Sequence, residues 1–125
     1  MENNTERDKF AKSIGVQAIE ASSEKAICKL KINDTHHNGL GLVNGGVLFT
    51  LGDYALAVAA NANGSKTVTL NSTIDFIKSA KEGTLLAVAT PIKTGRTISR
   101  YKVEITLEET SQLIAVLNAT SYTLG

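Results

Sequence analysis

The chain has 125 residues, 42% of them hydrophobic and 20% charged, with a formal net charge of +1. That is the size of one domain, residues 1–125, with the composition of an ordinary globular protein. The charges are scattered, which argues against nucleic acid or a membrane as partner. The one cysteine, Cys28, excludes an internal disulfide and points to a reducing, cytoplasmic setting.

The opening residues Met1 to Asp8 are polar and carry no apolar signal-peptide core. Thr5 to Ser13 then predict a short helix with Phe10 as its apolar contact. Two strands follow, roughly Gly15 to Ser22 and Lys25 to Ile32. In the second, Ala26, Cys28, Leu30 and Ile32 alternate with Lys25, Lys29 and Lys31. Asn33 to Asn44 is a polar, glycine-rich loop. From Gly45 to Asn61 the chain is apolar on almost every side, as in a helix buried all round, with Asn63-Gly64 as a left-handed cap. Asp53 and the glycines within it weigh against a membrane span.

Everything after this helix reads as strands. Lys66 to Ile77 alternates, with Val68, Leu70, Ser72, Ile74 and Phe76 expected on one face. Glu82-Gly83 turns into Thr84 to Lys93, where Pro91 predicts a bulge or a locally open edge. Lys93 to Arg96 turns into Thr97 to Glu108, with Val103, Ile105 and Leu107 facing one way. A last turn, Glu109 to Gln112, leads into Leu113 to Leu124. The order predicts an α+β layer, an antiparallel meander wrapped on one helix. Such a sheet leaves one side of the helix uncovered, and a second copy of the chain could cover it.

Two features could carry chemistry. A helix N-terminus entered through Gly45 and Gly46 offers backbone N–H groups and a partial positive charge to a developing oxyanion. Alternatively, Asn44 is simply the N-cap and the glycines allow tight packing. Asp53, a lone carboxylate in an apolar helix, is a candidate base or nucleophile, or else a buried aspartate bonded to a threonine or to backbone. Eight residues separate Gly45 from Asp53, about 12 Å along a helix axis. The two cannot serve one carbonyl from the same chain. Either one is not catalytic, or a site combines two subunits.

The other candidates are weaker. Asn38 could hold a water or a carbonyl oxygen, or could only form a turn with Gly39. Thr69 could face the site or be a plain strand residue. His36 and His37 have no acidic cluster at ligand spacing, so a metal site is not expected and solvated loop histidines are. Arg96, Arg100 and Lys93 surround a hairpin turn, as phosphate ligands or as ordinary exposed charges.

These residues resemble the helix-entry signature of hotdog-fold acyl-CoA thioesterases of the phenylacetate-degradation type. Members show an Asn, a short loop, His-Gly-Gly, and an Asp eight residues after the first glycine. Here those positions read Asn38, Asn44-Gly45-Gly46 and Asp53. Thr69 to Gly83 resembles the family strand leading into Pro-Ala-x-x-Gly, and Thr94-Gly95-Arg96-Thr97 resembles a hairpin near the coenzyme A phosphates. The likeness spans about residues 10 to 124.

The resemblance implies a hotdog fold dimerised edge to edge, with dimers pairing into homotetramers. It implies a thioester carbonyl polarised by the Gly45 N–H, and Asp53 of the partner subunit as general base or nucleophile. Asn38 would place water or substrate. Gly46, Thr69 and Arg96 would contact an acyl-CoA substrate, and no cofactor would be used. Asn44 departs from the family histidine and cannot take up a proton, and Ser79 replaces the proline. A non-catalytic module that binds acyl-CoA is the alternative. An interaction protein without a ligand would leave Asp53 and the glycine entry unexplained.

Overall fold

The long helix, α2 (Gly45–Ala60), starts and ends on asparagines. The Asn44 side chain accepts from the Gly46 N–H at 2.7 Å, which satisfies one of the donors a helix start leaves free. At the far end the buried Asn61 donates to the Ala57 carbonyl at 2.7 Å and accepts from the Thr67 N–H at 2.9 Å. Gly64 adopts the left-handed conformation expected there, at φ 86°. This computed structural model describes residues 3–124; Met1 and Glu2 of the polar opening segment lie outside them, as does Gly125.

Six strands form one antiparallel sheet: β1 (Gln17–Ala21), β2 (Ala26–Lys31), β3 (Thr67–Phe76), β4 (Thr84–Lys93), β5 (Ile98–Leu107) and β6 (Leu113–Thr123). The spatial order is β1-β2-β4-β5-β6-β3. The expected meander therefore holds only for β4, β5 and β6. β3, the first strand after α2, crosses to the far edge and pairs with β6. β2, β4, β5 and β6 each turn an apolar face to α2, and Leu30, Leu85, Val103, Ile105 and Leu117 close a core around Leu51, Leu56 and Val58 of the helix. Gly52 lets helix and sheet approach closely: a Cβ there would stand 3.2 Å from Leu117 Cδ1. Burial at about 25 cal/mol per Å² of apolar surface is what binds this layer.

Pro91 behaves as its chemistry requires. The ladder between β2 and β4 ends at Ala26↔Ala89, so Pro91 faces no donor-demanding neighbour on that side. The register with β5 slips between Pro91 and Lys93.

Two local expectations are corrected. The N-terminal helix is split into a 3₁₀ turn, Asn4–Arg7, and α1 (Lys9–Ser13), because Asp8 takes an extended conformation and caps α1 by accepting from the Ala11 N–H. Ala11 is the buried contact, whereas Phe10 is 64% exposed. In β3, Val68 and Leu70 do not share a face with Ser72, Ile74 and Phe76. The register against β6 shifts between Thr69 and Asn71. A bulge there moves Thr69 to the helix side, while Val68 and Leu70 stay exposed.

Candidate active site

α2 is covered by the sheet and by the N-terminal segment, with one stripe left over. Gly46 and Phe49 are exposed, and Thr50, Asp53 and Ala57 are half-buried. These positions recur at helical spacing, so they form one line along the rod. The uncovered side foreseen from the sequence is this line, and β3 flanks it with a free edge.

The helix entry opens on a cleft of about 330 Å³. Asn38, Leu42, Val43, Gly45, Leu48 and Phe76 line it, with Lys78 and Ser79 at its polar part. Among the described residues the Gly45 N–H has no hydrogen-bond partner, whereas that of Gly46 is taken by Asn44. One backbone donor at the positive end of a helix thus faces a largely apolar hollow. A Cβ on Gly45 would come within 3.1 Å of Phe76 Cζ, so a larger residue there would press on that ring.

The two asparagines of the entry loop are half committed. Asn38 Oδ1 accepts from the N–H groups of Leu40 and Leu42, at 2.9 and 3.2 Å. Asn44 Oδ1 serves as the N-cap. The turn and the cap, the plainer readings of both residues, are therefore present. Their Nδ2 groups take part in no hydrogen bond among the described residues, so each carries donors that a bound oxygen could use.

Asp53 lies apart from this cleft, beside β3. Its Oδ1 accepts from Thr69 Oγ1 at 3.0 Å. Burial pushes the carboxyl above the ordinary aspartate value of 3.8, the Thr69 bond pulls the other way, and the negative charge of Asp8 raises it further. A carboxylate held reluctantly ionised has the character of a general base. Within one chain the predicted residues therefore form three groups. Asn38, Asn44, Gly45 and Gly46 stand at the helix entry, Asp53 and Thr69 two turns further on, and Arg96 in the exposed β4–β5 turn. That turn depends on Gly95, whose Cβ would lie 2.3 Å from the Ile98 carbonyl oxygen.

His36 corrects the expectation of two solvated histidines. It is only 2% exposed. Its Nε2 lies 2.7 Å from the Ile14 carbonyl oxygen, and its Nδ1 accepts from the Asn33 N–H at 3.0 Å. His37 is half-buried and reaches the Lys81 carbonyl at 2.8 Å. The sequence carried one faint signal for this: Asn33 three residues before His36 has the spacing of a capping box, with imidazole in place of a carboxylate.

A single long helix embraced by one antiparallel sheet, entered through glycines and flanked by a free strand edge, is the hotdog architecture, an α+β fold. The sequence profile of the thioesterase superfamily matches residues 40–114. Acyl-coenzyme A thioesterase PaaI of Escherichia coli K12 is 31% identical over 121 residues, which cover 96% of this chain and 86% of that protein. The solved structure of the E. coli PaaI protein, from the phenylacetic acid degradation operon, aligns with a TM-score of 0.89 at 30% identity, covering 96% of this chain and 87% of that one. Acyl-coenzyme A thioesterase 13 of Mus musculus is 32% identical over 103 residues, 80% of this chain and 74% of that protein. This chain belongs to the thioesterase superfamily, as a thioester hydrolase of the PaaI-like subfamily.

Proposed function

We propose that the protein hydrolyses acyl-CoA thioesters at sites shared between two subunits. The observation that carries this reading is the division of the machinery along α2. A free Gly45 N–H opens on the cleft, and the carboxylate of Asp53 lies outside it on the same rod, about 12 Å away along the axis. Joining two chains across the exposed stripe and the β3 edges brings one chain's helix entry to Asp53 of the partner subunit, twice over. Such homodimers then pair into tetramers. The single free, buried Cys28 suits a reducing cytoplasm.

The chemistry follows from the groups. The thioester carbonyl oxygen sits at the Gly45 N–H, which stabilises the negative charge that develops on it. Asp53 of the partner subunit takes a proton from water as the water oxygen bonds to the carbonyl carbon. The tetrahedral intermediate then expels the coenzyme A thiolate, which is protonated, and the carboxylic acid departs. Direct attack by the Asp53 carboxylate, giving an anhydride that water opens, uses the same placement. Asn38 and Asn44 offer their Nδ2 donors to the water and the carbonyl, Gly46 leaves room for the substrate, and Thr69 holds Asp53. Arg96 meets the phosphates of coenzyme A.

Asn44 supports a second reading, a dimer that binds acyl-CoA without turning it over, because an amide cannot exchange protons as the family histidine does. A turnover panel of acyl-CoA thioesters separates the two. The shared site is tested by co-refolding two inactive variants, Asp53→Asn and Gly45→Leu. In a mixed dimer one site inherits both defects and the other neither, so activity returns towards half the wild-type value. Mixed dimers that form, by mass spectrometry, yet stay inactive exclude the shared site.

A further inference from the structure

We infer that His36 is a positioning residue: it holds the oxyanion-binding end of α2 in register with the N-terminal part of the chain. The inference rests on the thioesterase reading and concerns the same site. His36 is buried inside a loop whose residues Asp34, Thr35 and Asn38 are exposed. A buried imidazole is tolerated only when its nitrogens are satisfied. Both are, and by backbone groups whose roles cannot change. The Asn33 N–H can only donate, so Nδ1 is an acceptor. The Ile14 carbonyl can only accept, so Nε2 carries the proton. The ring is thereby fixed as the neutral Nε2–H tautomer.

The third connection gives this a purpose. The His36 carbonyl accepts from the Asn44 N–H at 2.8 Å. Asn44 is the N-cap, and Gly45 is the next residue. One residue therefore links Ile14, the C-cap of α1, to the first residue of the helix entry. Elsewhere the loop is tied to the segment after β3, through His37 to Lys81 and the Val43 N–H to Ala80. His36 supplies the side-chain bond that ties it to the end of α1. If filling space were the only need, an apolar residue would serve at this position. Two directional bonds at fixed separation need an imidazole.

The test uses the full-length protein with His36→Phe, which keeps the ring and loses both bonds, and His36→Gln, which keeps a donor for Ile14. A displacement of about 1 Å at a catalytic donor can reduce the rate on the order of 10²-fold. Folded His36→Phe should lose that much in kcat and in kcat/KM together, with KM little changed, the pattern of an interaction made in the transition state. His36→Gln should recover part of the loss. In 15N spectra the wild-type ring should show the Nε2–H tautomer, and the Asn44 and Gly45 amide resonances should move in both variants. A folded His36→Phe with wild-type kcat, an Nδ1–H tautomer, or unmoved Asn44 and Gly45 amides overturns the inference. If His36→Phe does not fold, His36→Gln answers the same questions. If the wild type hydrolyses none of the acyl-CoA panel, the thioesterase reading falls, and the amide shifts in His36→Gln alone decide for or against His36.

Discussion

Replacing Asp53 by asparagine should sharply slow catalysis and stabilise the fold. The side chain keeps its size, and its neutral oxygen can still accept from Thr69 Oγ1, which bonds the wild-type carboxylate at 3.0 Å. Loss of a catalytic base commonly lowers the rate by about 10²–10⁴-fold. Stability should move the other way. Burial raises the Asp53 pKa more than the Thr69 bond lowers it, so the ionised carboxylate is less favoured in the folded chain than in the unfolded one. That penalty is fully present at neutral pH, fades as pH falls through the raised value, and is gone below the ordinary 3.8. Asp53 is half-buried, so solvent screens part of it, and exchanging a charged acceptor for a neutral one returns some of the gain. A net gain in stability remains, and it appears as a higher Tm for the variant at neutral pH. Calorimetry of both proteins from pH 3 to pH 8, beside turnover with a substrate identified in the panel, measures the two effects together. Near-normal turnover by the folded variant refutes the base. A stability gain that grows on acidification refutes the electrostatic argument.

Thr69→Val should push the acid limb of the kcat/KM profile to higher pH, because the hydroxyl favours the ionised form of Asp53; an unmoved limb would mean that Asp53 does not set it. Gly52→Val places methyl groups where even a Cβ is 3.2 Å from Leu117. It should cost about 1–3 kcal/mol in denaturant titrations, and an unchanged midpoint would show that helix and sheet can separate freely. Arg96→Ala should raise KM with little effect on kcat. The same rise with a truncated thioester lacking the nucleotide would remove Arg96 from phosphate binding. Burial pushes the Cys28 thiol up to about 12, so alkylation at pH 8 should track global unfolding rather than thiolate reactivity; rapid modification of the native protein would contradict this.

Much of the fold could be read in advance because most elements declare themselves locally. β2 and β5 alternate between buried apolar and outward polar residues, and the α2 stretch is too apolar and too long for anything but a buried helix. Pairing is a different matter. Nothing in the alternation of β3 says that its partner is β6, since hydrogen bonds between backbones carry no side-chain label. The bulge at Thr69–Asn71 was equally silent. Val68 and Leu70 before it and Ile74 and Phe76 after it keep the same period-2 phase, and only the paired strand reveals the slip. At the candidate site, Asp53 and Gly45 stood out because their environment contradicts their chemistry: a carboxylate in an apolar run, and glycines opening a helix. His36, beyond its capping-box spacing from Asn33, and Asn61 did not stand out. Their partners are backbone groups or residues distant in sequence, among them Ile14 and Asn4, and a polar residue in a polar loop announces nothing unusual.

α2 also sets a rule about chain length. Surface loops can gain or lose residues cheaply, but the interval from Gly45 to Asp53 is counted on a rigid rod. One residue added within it would swing the carboxylate by about 100° and advance it about 1.5 Å. Asp53 would then leave the exposed stripe and Thr69 together, while the glycine entry stayed in place. Substitutions leave that spacing intact; insertion or deletion inside those eight steps would put the two proposed halves of the site out of phase.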